Sequence, residues 1–401
     1  MDDKSQGQSE ANVNDEKVNY NLPTDQPLKP VKDNTKLKFL KNRRALIGLI
    51  IAAIVILLGV GATLVYSLWY QNPEKIVFDS ISNTIKAKST KVTGDFNVAF
   101  NGDDEFSNQG IDNVQLSLTE NGDISSFDLD AKLTVDLTDM EDSLALNGNA
   151  IMDNDGNIYF NISNIEDTVD KFVAYTSDNC MTSYAGYYDE ETLTAECNQY
   201  GSLKETFSPI ISTIDNQWWK ISADDLSELD EDWGKEQQCL TELANKINDD
   251  KKIHNEIIDL YKKNPFINID KELGLNGGSY GFEIGLDSKS AVSFINNLNE
   301  TTLYKELSTC SDRFEASEDI DEDDISDYST LAEDNGSLVL WVSQFNHEIS
   351  KIEANYKDDA YDFSTNITTM FNEPYTLETP SDSKPISELV EAIQEVFGEM
   401  Y

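Results

Sequence analysis

The chain has 401 residues, an apolar fraction of 39% and a formal net charge of −45. That length leaves room for a tail, an anchor and one or two folded units, and the apolar residues are patterned well enough to build a sizeable core. So acidic a surface repels nucleic acid, which excludes a nucleic-acid partner; it attracts cations or basic partners and also keeps a domain soluble.

Residues 1–44 hold nine Lys/Arg against seven Asp/Glu with few apolar side chains, so nearly all the net charge falls on residues 73 onward. The composition of 1–44 predicts a disordered cytoplasmic tail. From Ala45 to Leu68 the chain carries no charge. As a helix this stretch would be about 36 Å long, enough to cross a bilayer core. A cleaved signal peptide would have a shorter apolar region and a small-residue exit, and a lipobox is excluded because the first cysteine is Cys180. Lys36, Lys38, Lys41, Arg43 and Arg44 crowd one flank, while Tyr66, Trp69 and Tyr70 mark the other. The positive-inside rule then predicts one transmembrane helix over 45–70, with 1–44 in the cytoplasm and an extracytoplasmic α+β domain over 73–401.

Asn72-Pro73-Glu74 is a helix start, and Val77, Ile81 and Ile85 recur at fourfold spacing to about Lys88. The period then becomes two: Phe96, Val98 and Phe100; Val114, Leu116 and Leu118; Phe127, Leu129, Leu133, Val135 and Leu137; Leu144, Leu146 and Met152; Ile158, Phe160 and Ile162. Asn101-Gly102, Asn121-Gly122 and Asp155-Gly156 supply hairpin turns between these runs. One apolar and one polar face per strand predicts an antiparallel sheet covered on one side.

A helical excursion spans about 164–263: residues 164–213 read as irregular, Gln217–Ile221 as a short strand, and Lys235–Lys263 as helix. Phe266–Ile269 and Tyr280–Leu286 read as strands and Ser290–Leu307 as a helix. A second, acidic excursion covers about 311–335. Strands return with Leu338, Leu340 and Val342, then Ile352, Ala354 and Tyr356, then Tyr361, Phe363 and Ile367, before a closing helix from Ile386 to Phe397.

Cys180, Cys197, Cys239 and Cys310 contain no C-x-x-C pair, and they fall on the side of the membrane where disulfides persist. Four cysteines allow three connectivities. The expected pairs are Cys180–Cys197 and Cys239–Cys310, each flanking one excursion from the sheet, with free buried thiols as the alternative.

No motif points to an enzyme, a cofactor or a metal site. Gly277-Gly278-Ser279-Tyr280-Gly281 matches the G-x-S-x-G elbow, but Phe282, Ile284 and Leu286 alternate after it and predict a strand where the elbow needs a helix. His254 and His347 have polar neighbours and are expected at the surface. Asp153, Asp155 and Asn157 fit a hairpin turn better than a calcium loop, and the acidic run from Glu318 to Asp324 fits a solvated linker. Trp218 and Trp219 are neighbours on one strand, so one ring is expected in the core and the other half-exposed.

The first helix PEKIVFDSISNTIKAKS, the strand NQWWKIS, the segment YGFEIGLDSKSAVSFINNL and the closing run from Leu340 to Pro380 stand in an order that resembles the LolA/LppX-like superfamily of extracytoplasmic lipid and lipoprotein carriers. The resemblance implies a strongly curved antiparallel sheet packed on helices, with an apolar cavity between them. It departs from that family in keeping a spanning helix and long acidic excursions. The expected function is a membrane-tethered binding module for a lipid or acylated ligand, or for a protein ligand. The alternative is a structural or adhesive acidic surface protein without a cavity.

Overall fold

The computed structural model describes residues 72–101, 110–183, 190–197, 199–311 and 335–398. The expected tail (1–44), membrane span (45–70) and the acidic run of 318–324 lie outside the described residues. Among the described residues, no helix is long and apolar enough to cross a membrane.

The domain is α+β, with twelve strands and ten helices among the described residues. Helix α1 (Pro73–Ile85) precedes a five-stranded meander: β1 (Thr90–Phe100), β2 (Ile111–Gly122), β3 (Phe127–Leu137), β4 (Leu144–Met152) and β5 (Ile158–Ser163). Helices α2 (Ile165–Ser183), α3 (Glu190–Cys197) and α4 (Gln199–Ile214) lead to β6 (Gln217–Ile221). Next come α5 (Ala223–Leu229), α6 (Glu231–Asp249) and α7 (Lys251–Lys263), then β7 (Ile267–Asn276), β8 (Ser279–Leu286), α8 (Ser288–Leu298) and α9 (Thr302–Cys310). The chain closes with β9 (Gly336–Ser343), β10 (Ile349–Lys357), β11 (Tyr361–Phe371), the two-residue β12 (Lys384–Pro385) and α10 (Ile386–Gly398).

All strands form one open sheet in the order β12-β6-β5-β4-β3-β2-β1-β11-β10-β9-β8-β7. Every pairing is antiparallel except that of β12 with β6. Two meanders therefore meet along one central ladder, where Thr90 pairs with Phe371 and Phe100 with Tyr361.

Local chemistry explains where the elements start and stop. Asn72 caps α1 through its side chain on the Glu74 amide, with Pro73 in the first turn. The reading of 235–263 as one helix is corrected to two, because the Asp250 carboxylate turns to the Lys252 and Ile253 amides and starts α7 anew. The helix expected over 290–307 is likewise split, with Thr301 capping α9. Residues 164–213, expected to be irregular, contain α2, α3 and α4; apolar residues do recur at helical spacing, as Ile165, Val169, Phe172 and Val173 in α2 and Phe207, Ile210, Ile211 and Ile214 in α4, but polar neighbours and Pro209 interrupt the pattern, and a disulfide and mutual packing hold the helices. The turn expected at Asn121-Gly122 is displaced to residues 123–126, where Asp123 accepts from the Ser125 and Ser126 amides. Gly122 is needed there instead for a close approach, since a Cβ on it would lie 2.3 Å from the Ser126 carbonyl oxygen.

Both expected disulfides are formed. Cys180–Cys197 ties α2 to α3, and Cys239–Cys310 ties α6 to α9. Bonds of this kind persist in oxidising, extracytoplasmic compartments.

The main core lies between the β1–β11–β8 half of the sheet and helices α1, α7 and α8. Ile76, Val77 and Ile81 of α1 and Ile257 and Tyr261 of α7 pack on Val342, Ile352 and Ile367, all buried. The helix α1 is held in place by polar contacts as well. Asn83 donates to the backbone oxygens of Asn346 and His347, and the His347 ring meets Asp79 at 3.0 Å.

Both histidines are corrected from surface to interior, with 7% of His254 and 5% of His347 exposed. Polar neighbours in the sequence misled because each ring turns inward from an otherwise polar segment. Burial pushes the His254 pKa below the ordinary histidine value, helped by nearby Lys86 and Lys88 and opposed by the Ile247 carbonyl and Asp250. The folded chain therefore binds fewer protons than the unfolded chain just below the unfolded histidine pKa of about 6.5, so stability falls as pH drops through that window. Urea midpoints measured from pH 7.5 down to pH 5 should show this fall, and His254→Leu should remove its histidine component.

Candidate functional site

Strand register shows which side chains share the covered face. One row runs Val92, Glu120, Leu129, Ala150, Phe160 and Trp219 across β1 to β6. The next runs Gly94, Leu118, Ala131, Gly148 and Ile162. A third runs Phe96, Leu116, Leu133 and Leu146. Pairing in register puts side chains on the same side of a sheet, so these rows continue the face that carries the core.

The two halves of that face differ in cover. On the β8–β11 side Phe282, Leu340, Val342, Ile352 and Ile367 are all buried beneath helices. On the β2–β5 side Leu133 and Ile162 remain 37% and 36% exposed, and no residue of β4 is fully buried. The Gly148 position is open as well: a Cβ built there meets no heavy atom within 4 Å. The result is a partly uncovered apolar strip of the sheet, termed the groove, in which small residues, Ala131 and Gly148, stand between larger ones.

Helices border the two ends of these strands. At the turn end, α6 donates from Gln237 to the Gly156 carbonyl at 2.6 Å, from Asn245 to the Asn154 carbonyl at 3.2 Å and from Asn248 to Asp123 at 3.0 Å. At the opposite end, Asn164 and Thr168 at the start of α2 donate to the Ala145 carbonyl at 2.6 and 2.5 Å. Neither set of contacts reaches Leu133 or Ile162.

Among the described residues of β1–β6, one charged side chain stands on this face. Glu120 lies in register between Val92 and Leu129, and desolvation holds its carboxyl above the usual carboxylate range, with Asp128 adding to the shift. Among the described residues its carboxylate has no hydrogen-bond or ion-pair partner.

The motifs weighed in the sequence fall elsewhere. Ser279 sits in the β7–β8 hairpin, its hydroxyl 2.9 Å from that of Ser350, and a strand follows it. Asp153 closes the β4–β5 turn by accepting from the Asp155 and Asn157 amides at 3.0 and 2.9 Å. Trp219 is 1% exposed and Trp218 half-buried, as the strand reading requires. Among the described residues no group of three or more His, Cys, Asp or Glu side chains is placed to hold a metal. Leu133 and Ile162 were read from the sequence as apolar strand positions, whereas Ala131, Gly148 and Glu120 were not singled out, although Glu120 continues the inward positions of Val114, Leu116 and Leu118 by simple counting. No family model, curated protein or solved structure matches the chain.

Glu120 also generates a stability expectation. Because its folded pKa is raised, the folded chain binds more protons than the unfolded one above the ordinary value of 4.5. Its contribution is most favourable at low pH and is lost as pH rises through the folded pKa. Glu120→Leu should therefore raise the urea midpoint at pH 7, by about 1 kcal/mol in stability, through removal of a half-buried charge without a partner. The gain should shrink toward pH 4.5.

Proposed function

We propose that the protein is a membrane-tethered, extracytoplasmic binding module of LolA/LppX-like architecture. In this reading residues 45–70 span the membrane, residues 1–44 lie in the cytoplasm, and the groove over β2–β5 holds the acyl chain of a lipid or acylated ligand. The observation that carries it is the difference in cover along one apolar face: helices seal one half, while Leu133, Ile162 and the space above Gly148 stay open on the other. A groove of partly exposed aliphatic side chains gains most from an apolar occupant, at about 25 cal/mol for each Å² removed from water. The two disulfides agree with an extracytoplasmic domain. The tether argues for capture or presentation near the membrane, since an anchored module does not ferry cargo far.

Native mass spectrometry of the full chain, extracted from its membrane, should detect a co-purified lipid. Gly148→Leu places a side chain in the open space and should lower lipid occupancy. Its effect on stability should stay within about 0.5 kcal/mol or be favourable, since glycine weakens a strand interior. A lipid-free wild-type chain would remove the acyl-chain reading. The topology has its own test: protease added to intact cells should digest residues 73–401 and spare the first forty.

A second reading, an acidic surface protein that holds cations or basic partners by charge alone, draws on the net charge of −45. It predicts strongly salt-dependent binding that Gly148→Leu does not change.

A further inference from the structure

We infer that the groove selects an amphiphile whose head carries an ammonium group, with Glu120 as its counter-ion. This rests on the reading of the groove as an acyl-chain site and adds the chemistry of the head.

Glu120 pairs in register with Val92 on one side and Leu129 on the other, so its carboxylate stands on the groove face. The diagonal neighbour on β3 is Ala131, roughly 7–8 Å away, and Ala131 pairs with the open Gly148 position. The carboxylate is therefore beside the open floor and one strand from the sealed core around Val92.

This charge is not compensated by neighbouring strand residues. The nearest strand lysines stand at outward positions: Lys91 pairs with Asn121, and Lys132 with Ser117. Other acids on these strands and in their turn have partners; Asp95 accepts from Ser117, Asp136 from Asn113, and Asp123 of the turn from Asn248 and Tyr375. Glu120 has none among the described residues. A half-buried carboxylate without a partner costs the fold stability, and nothing in its packing requires a charge.

An acyl chain lying over Leu133 and Ile162 would exclude water from the floor and lower the local dielectric around Glu120. A positive head beside the carboxylate would then gain a charge-assisted hydrogen bond, whereas a carboxylate head would meet like charge. The groove thus discriminates by head charge while accepting chains by shape.

The test uses the full chain in micelles of a neutral steroid-glycoside detergent, which brings no acyl chain of its own. Two photoactivatable probes share one sixteen-carbon, diazirine-bearing chain; one ends in a primary amine, the other in a carboxylate. Labelled peptides are mapped by mass spectrometry at neutral pH. The amine probe should label the β2–β4 peptides about tenfold more than the acid probe, the scale of one charge-assisted hydrogen bond. Glu120→Gln should bring the amine probe down to the level of the acid probe, and Glu120→Lys should reverse the order. Equal labelling by both probes, a preference for the acid, or a preference unchanged in the two variants would overturn the ammonium inference while leaving the groove occupied. Absence of β2–β4 labelling by either probe would instead remove the acyl-chain reading itself.

Discussion

A sheet whose strands are apolar on one side only must find cover for that side, and here the sheet is wider than the cover it receives. Helices α1, α7 and α8 close over the β8–β11 portion and bury aliphatic side chains such as Val342 and Ile367 almost completely. That burial is the largest favourable contribution to the fold, and it fixes α1 across the face from its first turn. The same face then runs on past Val92 into β2–β5 without helices seated over its middle. What lies there is an extension of the core pattern with thinner cover, its β4 residues only partly buried.

The two halves consequently differ in how their residues are packed. On the sealed side, side-chain volume is used fully, and aromatic rings such as Phe266 and Phe294 meet at 5.1 Å. On the open side, small residues alternate with large ones, and the helices α2 and α6 are held by polar contacts at the strand ends. The Cys239–Cys310 bond anchors α6 to α9, so the helix bordering the groove is covalently joined to the elements flanking the sealed core. The border of the groove is thereby stiffened without a side chain being spent on its floor.

Much of this arrangement was legible in the residues. Strict alternation from Phe96 to Ile162 located the meander, Asn72-Pro73 located the start of α1, and cysteine spacing indicated the two disulfides. Helices α2 and α4 were legible too, since Val169, Phe172 and Val173 and then Phe207, Ile210, Ile211 and Ile214 recur at helical spacing; the short α3 has no such stripe and was hidden. The burial of His254 and His347 was hidden for a related reason: the direction of a single ring depends on tertiary packing, not on its sequence neighbours. Glu120 could have been found, since it sits two residues beyond Leu118 in a strand of period two. The openness above Gly148 could not, because it depends on where distant helices fail to reach. Nor could the central ladder, which joins segments at opposite ends of the domain.

That ladder sets the order in which the sheet can be assembled. In a chain made from its N-terminus, β1 emerges early, and β2 to β6 fold back upon one of its edges. Its other edge has no partner until Tyr361–Phe371 follows, about 260 residues later, which at ordinary elongation rates is roughly 10–50 s. For that interval the nascent meander presents an unpaired backbone ladder of eleven residues, the kind of template on which strands from neighbouring chains add. Protection of the free edge of β1 until β11 is made is the requirement this topology places on folding.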